Sequence, residues 1–176
     1  QRLASVATLT ARFVGQIAGT GAQILDTRKT TPGWRALEKY AVACGGGTNH
    51  RIGLYDQVMI KDNHLAALEG NMAEAIQRAR ENYPDLKIEA EADTIEQAQA
   101  AAEAGADIIL LDNMSCDELR QAVGLIEGRA KTEASGGVTL ETVREIAETG
   151  VDYISVGALT HSAPSVDIAL DFDQLS

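Results

Sequence analysis

The feature that most constrains how this 176-residue chain can fold is a rhythm. Short apolar runs alternate with helical stretches along its whole length. The strand-like runs fall at 22–27, 57–61, 86–92, 106–112, 130–134 and 152–156. Helical periodicity covers about 1–18, 32–44, 71–82, 94–104, 116–126 and 140–149. Local signals agree: Thr94-x-x-Gln97 and Ser115-x-x-Glu118 have capping-box spacing, Gly105 and Gly150 stand where helices end, and Pro84 closes the helix before it. Strands alternating with helices of this length make βαβ units and a parallel sheet. The later repeats begin about 20–25 residues apart, the compact module of a barrel. The expected fold is α/β: a (β/α) barrel of about six parallel strands, closed or incompletely closed, formed by residues 1–176 as one domain. The alternation alone leaves an open doubly wound sheet as the alternative.

Composition serves mainly to exclude. The formal net charge is -11, with 26 acids against 15 bases, so a nucleic-acid or anionic-membrane partner would be repelled. An anionic ligand must be held by a local cluster of cations instead. No apolar run reaches membrane-span length and no signal peptide is visible, so a cytoplasmic protein is expected. Cys44 and Cys116 fall in helical segments without disulfide or metal spacing and read as reduced thiols. The chain starts at Gln1 already inside an amphipathic pattern (Leu3, Val6, Leu9, Phe13, Val14, Ile17), which leads us to expect further sequence upstream.

In barrels and open α/β sheets alike, ligands bind at the carboxyl ends of the strands. Those ends read Asp26-Thr27-Arg28-Lys29, Lys61-Asp62-Asn63-His64, Glu91-Ala92-Asp93, Asp112-Asn113, Ser135-Gly136-Gly137 and Gly157-Ala158. Every strand empties into a charged residue or a glycine turn. After the first strand, Pro32 sits in the opening turn of a helix with Trp34, Leu37, Tyr40 and Ala41 on one face. Gly45-Gly46-Gly47 ends that helix, and Asn49, His50 and Arg51 follow.

Each candidate has a plain reading beside the functional one. Any single one of Arg28, Lys29, Arg51 and Lys61 could be a solvated cation, but four at neighbouring strand ends of an acidic chain point to a bound polyanion. His50 and His64 have no metal spacing, and a lone histidine is commonly a hydrogen-bonded structural residue. Glu91 and Asp112 end successive strands; they either pair with neighbouring lysines or hold hydroxyls and a hard cation such as Mg²⁺. Glu89 shares the face of Glu91 by alternation, so one of the two lies deeper as a packing or salt-bridge residue. Ser135, Gly136 and Gly137, with Val156, Gly157 and Ala158, are either tight turns or a phosphate cup of backbone N–H groups.

The segments DTRKTTPG (26–33), ALEKYAV (36–42), GGGTNHR (45–51), IKDNH (60–64), LLDNM (110–114) and SVGALTH (155–161) resemble the quinolinate phosphoribosyltransferase family, over essentially the whole chain. The resemblance implies an Mg²⁺-dependent, decarboxylating pentosyltransferase of NAD biosynthesis, without an organic cofactor. It would join quinolinate to phosphoribosyl pyrophosphate and give nicotinate mononucleotide, pyrophosphate and CO₂. It implies that Thr27, Arg28, Lys29, His50, Arg51 and Lys61 surround the substrate carboxylates and pyrophosphate. Glu91 and Asp112 would face the ribose hydroxyls and metal, and Ser135–Gly137 with Val156–Ala158 the 5′-phosphate. The resemblance also implies an N-terminal domain that caps the partner subunit's barrel in a homodimer, expected here outside the 176 residues of this sequence. A non-catalytic or metal-transport-associated relative and a Schiff-base lyase using Lys61 are the other readings.

Overall fold

In the computed structural model, residues 1–172 are described. The elements run α1 (Arg2–Gln16), β1 (Gln23–Leu25), α2 (Arg35–Cys44), β2 (Val58–Ile60), α3 (Asp62–Ala66), α4 (Met72–Asn82), β3 (Ile88–Ala92), α5 (Ile95–Glu103), β4 (Ile108–Asp112), α6 (Cys116–Ile126), β5 (Lys131–Ser135), α7 (Val143–Ala147), β6 (Tyr153–Ser155) and α8 (Ala158–His161). All strand pairs are parallel, in the order β1-β6-β5-β4-β3-β2. That order runs monotonically round a ring and reverses nowhere, so a doubly wound sheet is excluded. The ring is cut between β1 and β2. On β1's free edge the segment after α2 takes over part of the pairing: Thr48 N–H donates to the Ile24 carbonyl at 2.8 Å, and Asp26 N–H to that of Thr48 at 3.2 Å.

The two faces of the strands have different chemistry. Ile88, Ala90, Ala92, Ile109, Leu111, Ala134 and Ile154 point outward and bury against Ala98, Ala101, Leu119, Ala122, Ile126 and Val143 of the helices. The residues between them, Glu89, Glu91, Leu110, Glu133 and Ser135, point into the barrel. The hydrophobic core is therefore the layer between sheet and helices, at about 25 cal/mol for each Å² buried, while the interior is polar.

The caps form as their spacing implies. Ser115 and Glu118 satisfy each other's backbone N–H groups, and Thr94 accepts the Gln97 N–H at 3.2 Å. The Gln97 side chain accepts one residue early, from Asp93 N–H at 2.7 Å. Gly105 and Gly150 take positive φ just past their helices. Two short helices, α3 and α8, were not signalled by periodicity, because each is too brief to show any.

The face assigned to α2 requires correction. Trp34, Leu37 and Tyr40 are 43, 49 and 67% exposed, and only Ala41 of that group is buried. The helix instead buries Glu38, Lys39 and Val42. Apolar periodicity failed there because the inward face carries two charges, each paired inside the protein.

Candidate active site

The carboxyl ends of the strands enclose one cavity of about 430 Å³, lined by Thr27, Arg28, Lys29, His50, Arg51, Lys61, Glu91, Asp112 and Ser135 together with Met59, Leu110, Glu133 and Ser155. Nine residues singled out in the sequence, seven at strand ends and His50 and Arg51 after the glycine run, thus share one cavity. Gly136 and Gly137 follow Ser135 directly, and Gly157 packs beside Lys29, whose Cδ lies 3.4 Å from where a Gly157 Cβ would stand. Val156, Gly157, Ala158, Gly136 and Gly137 are not part of the cavity lining, and the Val156 side chain is buried in the core. What these positions offer a ligand is backbone.

Three buried charges, Asp26, Glu38 and Lys39, shape the cationic wall. Asp26 Oδ1 accepts the Lys39 ammonium and, at 2.9 Å, the His50 N–H. With its amide nitrogen turned inward, Asn49 donates to Asp26 Oδ2 at 2.7 Å and to the Lys39 carbonyl at 2.9 Å. Burial raises the Asp26 pKa, and the Lys39 ammonium opposes that rise. Glu38, fully buried, accepts the Thr31 N–H at 3.0 Å and the Thr31 hydroxyl at 2.8 Å, and pairs with Arg2 at 2.9 Å. Two adjacent residues of α2 thereby pin both loops that carry Arg28, Lys29, His50 and Arg51. The Thr160 hydroxyl adds a third tether, donating to the Lys29 carbonyl at 2.6 Å.

Beneath the cations lies an acidic floor. His50 Nε2 sits 3.1 Å from Glu89 Oε2 and 3.4 Å from Glu133 Oε2, while Nδ1 accepts the Arg51 N–H at 2.7 Å. Burial opposes charge on the imidazole, but the carboxylates Glu133 and Glu89 outweigh it and push its pKa to about 10. With Nδ1 accepting, the Nε2 proton faces the two carboxylates, and the proton gained as pH falls belongs to the cluster of His50, Glu89 and Glu133 as a whole; burial also raises the Glu89 pKa. Arg51 is half-buried; burial first, and then the nearby Arg28 charge, lower its pKa. Its guanidinium is steered by the Gln57 carbonyl at 3.1 Å. Arg28 Nε is buried without a hydrogen-bond partner.

Glu89 is the deeper of the two alternating glutamates. Glu91 reaches the mouth and pairs with Lys61. Carboxylate oxygens of Glu91, Asp93 and Asp112 come within 4.8 Å of one another. His64 has the structural role: its Nδ1 accepts the Lys61 N–H at 3.0 Å and closes the first turn of α3. Strand-end reasoning missed Glu133, Glu38 and Lys39. Period-two alternation flags Glu133 in KTEAS, but nothing local marks the inward pair on α2.

Fold and cavity together define a parallel (β/α) barrel, cut open at one seam, with four cationic side chains at its mouth. The family model for quinolinate phosphoribosyl transferase, C-terminal domain, matches residues 6–171. A probable nicotinate-nucleotide pyrophosphorylase [carboxylating] from Bacillus subtilis is 51% identical over 172 residues, 97% of this chain and 59% of that protein. The Mycobacterium leprae nicotinate-nucleotide pyrophosphorylase [carboxylating] is 48% identical over 96% of this chain and 60% of its own length. The crystal structure of nicotinate-nucleotide pyrophosphorylase from Ehrlichia chaffeensis superposes with a TM-score of 0.92 at 46% identity, covering 97% of this chain and 62% of that one. The chain belongs to the quinolinate phosphoribosyltransferase family, as its C-terminal domain. It spans about three fifths of the length of these relatives.

Proposed function

We propose that this chain is the barrel domain of a decarboxylating phosphoribosyltransferase that makes nicotinate mononucleotide, pyrophosphate and CO₂ from quinolinate and phosphoribosyl pyrophosphate. The observation that carries the reading is the convergence of Arg28, Lys29, Arg51 and Lys61 on one cavity of an acidic protein. Guanidinium forks match carboxylates bidentately, and two such forks suit a ligand with two adjacent carboxylates. Lys29 and Lys61, more exposed, provide point charges for pyrophosphate. The backbone N–H groups of Ser135–Gly137 and Val156–Ala158 provide donors for the 5′-phosphate.

In the reaction the pyridine nitrogen attacks C1′ of the ribose while the C1′–O bond to pyrophosphate breaks. Positive charge develops on the ring, and Glu91 and Asp112 stabilise it. Holding two anions at one mouth supplies much of the acceleration as orientation. The C2 carboxylate then departs as CO₂, its electron pair moving toward the pyridinium and being taken up by a proton. No protein nucleophile is needed. The all-oxygen set Glu91, Asp93 and Asp112 fits Mg²⁺, which would neutralise pyrophosphate charge. Lys61 is held in an ion pair with Glu91, a poor arrangement for a Schiff-base amine.

The reading extends to a homodimer completed by a domain outside this chain. Trp34, Leu37, Tyr40, Ile52, Leu54 and Tyr55 support it, being exposed apolar residues on α2 and the loop beyond. No described helix is long and apolar enough to cross a membrane, which is compatible with a cytoplasmic setting. Calorimetric titration of the full-length protein with quinolinate tests the site: Arg28→Ala and Arg51→Ala should each weaken binding by roughly ten- to hundredfold. Wild-type affinity in both variants would refute it. Formation of nicotinate mononucleotide separates the enzyme from a non-catalytic relative.

A further inference from the structure

Asn113 has a backbone conformation that side chains rarely adopt, φ 54°. Two other non-glycine residues share it among the described residues, Glu69 and Glu127; Glu127 caps the end of α6, where that conformation is ordinary. Asn113 stands instead at the tip of β4, beside the cavity, directly after Asp112. Such strain persists only where the surroundings impose it.

The left-handed turn folds the residue back over two parts of the site at once. Its Nδ2 donates to Asp112 Oδ2 at 2.7 Å, and its backbone N–H donates to the Ser135 carbonyl at 2.9 Å. Its side chain also fills the space above Gly136: a Cβ there would collide with Asn113 Oδ1 and lie 3.1 Å from its Cα. Gly136 is thus obligatory on two counts, its φ of +97° and this contact. One residue touches the acid on one side and the glycine turn on the other.

We propose that Asn113 is a positioning residue that fixes the Asp112 carboxylate relative to the Ser135–Gly137 turn, so that one phosphoribosyl group meets both in register. This rests on the phosphoribosyl-transfer reading above. The amide holds Oδ2 and stops the carboxylate from rotating, which leaves Oδ1 for a ribose hydroxyl or a cation. It does so without cancelling the carboxylate's charge. A lysine or arginine at this place would cancel the charge that an oxocarbenium-like ring needs. Asparagine also tolerates the left-handed conformation better than most side chains, so one residue type meets both demands.

The test compares full-length wild type with Asn113→Gly, Asn113→Ala and Asn113→Asp. Glycine keeps the backbone conformation and removes only the amide. It should raise KM for phosphoribosyl pyrophosphate roughly tenfold, with KM for quinolinate and Tm unchanged. Alanine should show the same split with a lower Tm, because strain is added. Aspartate keeps the shape but sets a second carboxylate against Asp112, so its loss should exceed that of glycine. An unchanged KM for phosphoribosyl pyrophosphate in Asn113→Gly overturns the proposal, as does a parallel change in both KM values and Tm. Calorimetry with phosphoribosyl pyrophosphate separates the two levels. No binding to wild type refutes the reading of the site and the proposal with it, whereas equal binding to wild type and Asn113→Gly refutes the proposal alone.

Discussion

The two sides of the barrel mouth are built by different means. The cationic side, at the cut seam, hangs on loops 26–31 and 48–51, which no closed sheet supports. Its rigidity comes from buried charges, Asp26 with Lys39 and Glu38 with Arg2. The acidic and glycine side stands on β3 to β6, where the continuous ladder sets Asp112 opposite Ser135 and Glu91 opposite Leu110. There, sheet register alone positions the tips. A seam frees loops to carry two arginines side by side, but leaves their placement to ion pairs that cannot be half made.

The largest expected effect follows from that dependence. Lys39→Met removes the partner of a fully buried carboxylate and should cost about 3–5 kcal/mol in urea unfolding. It should also weaken quinolinate binding, because Asp26 anchors the His50 backbone. A loss under about 1 kcal/mol would show that the cationic loops do not depend on this pair. On the other side, Gly136→Ala should cost less, about 2 kcal/mol, from positive φ and the collision with Asn113. Its signature is a raised KM for phosphoribosyl pyrophosphate with quinolinate binding kept. Were both substrates lost equally, the division of the mouth into two halves would fail.

The floor between the halves has a pH signature. The His50 pKa is raised above its unfolded value to about 10. Its contribution to stability is therefore fully present below about 6.5 and is lost as pH rises through about 10. Unfolding free energies of wild type and His50→Gln should converge over that window, by about 1–2 kcal/mol. A difference that stays constant from pH 7 to 10 would mean that the cluster binds no extra proton.

Which half was legible in the sequence follows from the same contrast. Strand alternation and strand ends are local, and a parallel sheet converts them directly into position; Glu91, Asp112, Ser135 and the deeper Glu89 were readable for that reason. Arg28, Lys29, Arg51 and Lys61 were readable because cations are scarce in an acidic chain. The braces were not. Glu38 and Lys39 in ALEKYAV look like an ordinary solvated pair beside a tempting apolar face of Trp34, Leu37 and Tyr40. Only the tertiary placement of Arg2, far upstream, and of the loop that carries Asp26 and Thr31 back over α2 makes that burial possible. Doubly engaged Asn113 was hidden likewise, since a left-handed residue at a strand tip has no periodic signal.

The smallest effect checks the claim that the ladder side is set by local rules. Ser115 caps α6, the helix that packs against α5 and leads into β5, through a reciprocal box with Glu118. Ser115→Ala removes one acceptor from the Glu118 N–H and one donor to its carboxylate, which should cost about 1 kcal/mol. Because β4 and β5 keep their register through backbone bonds alone, Asp112 and Ser135 stay opposite each other. KM for either substrate should therefore remain at the wild-type value while Tm falls slightly. A rise in KM for phosphoribosyl pyrophosphate with so small a loss of stability would show that helix capping, and not strand pairing, aims the acidic wall.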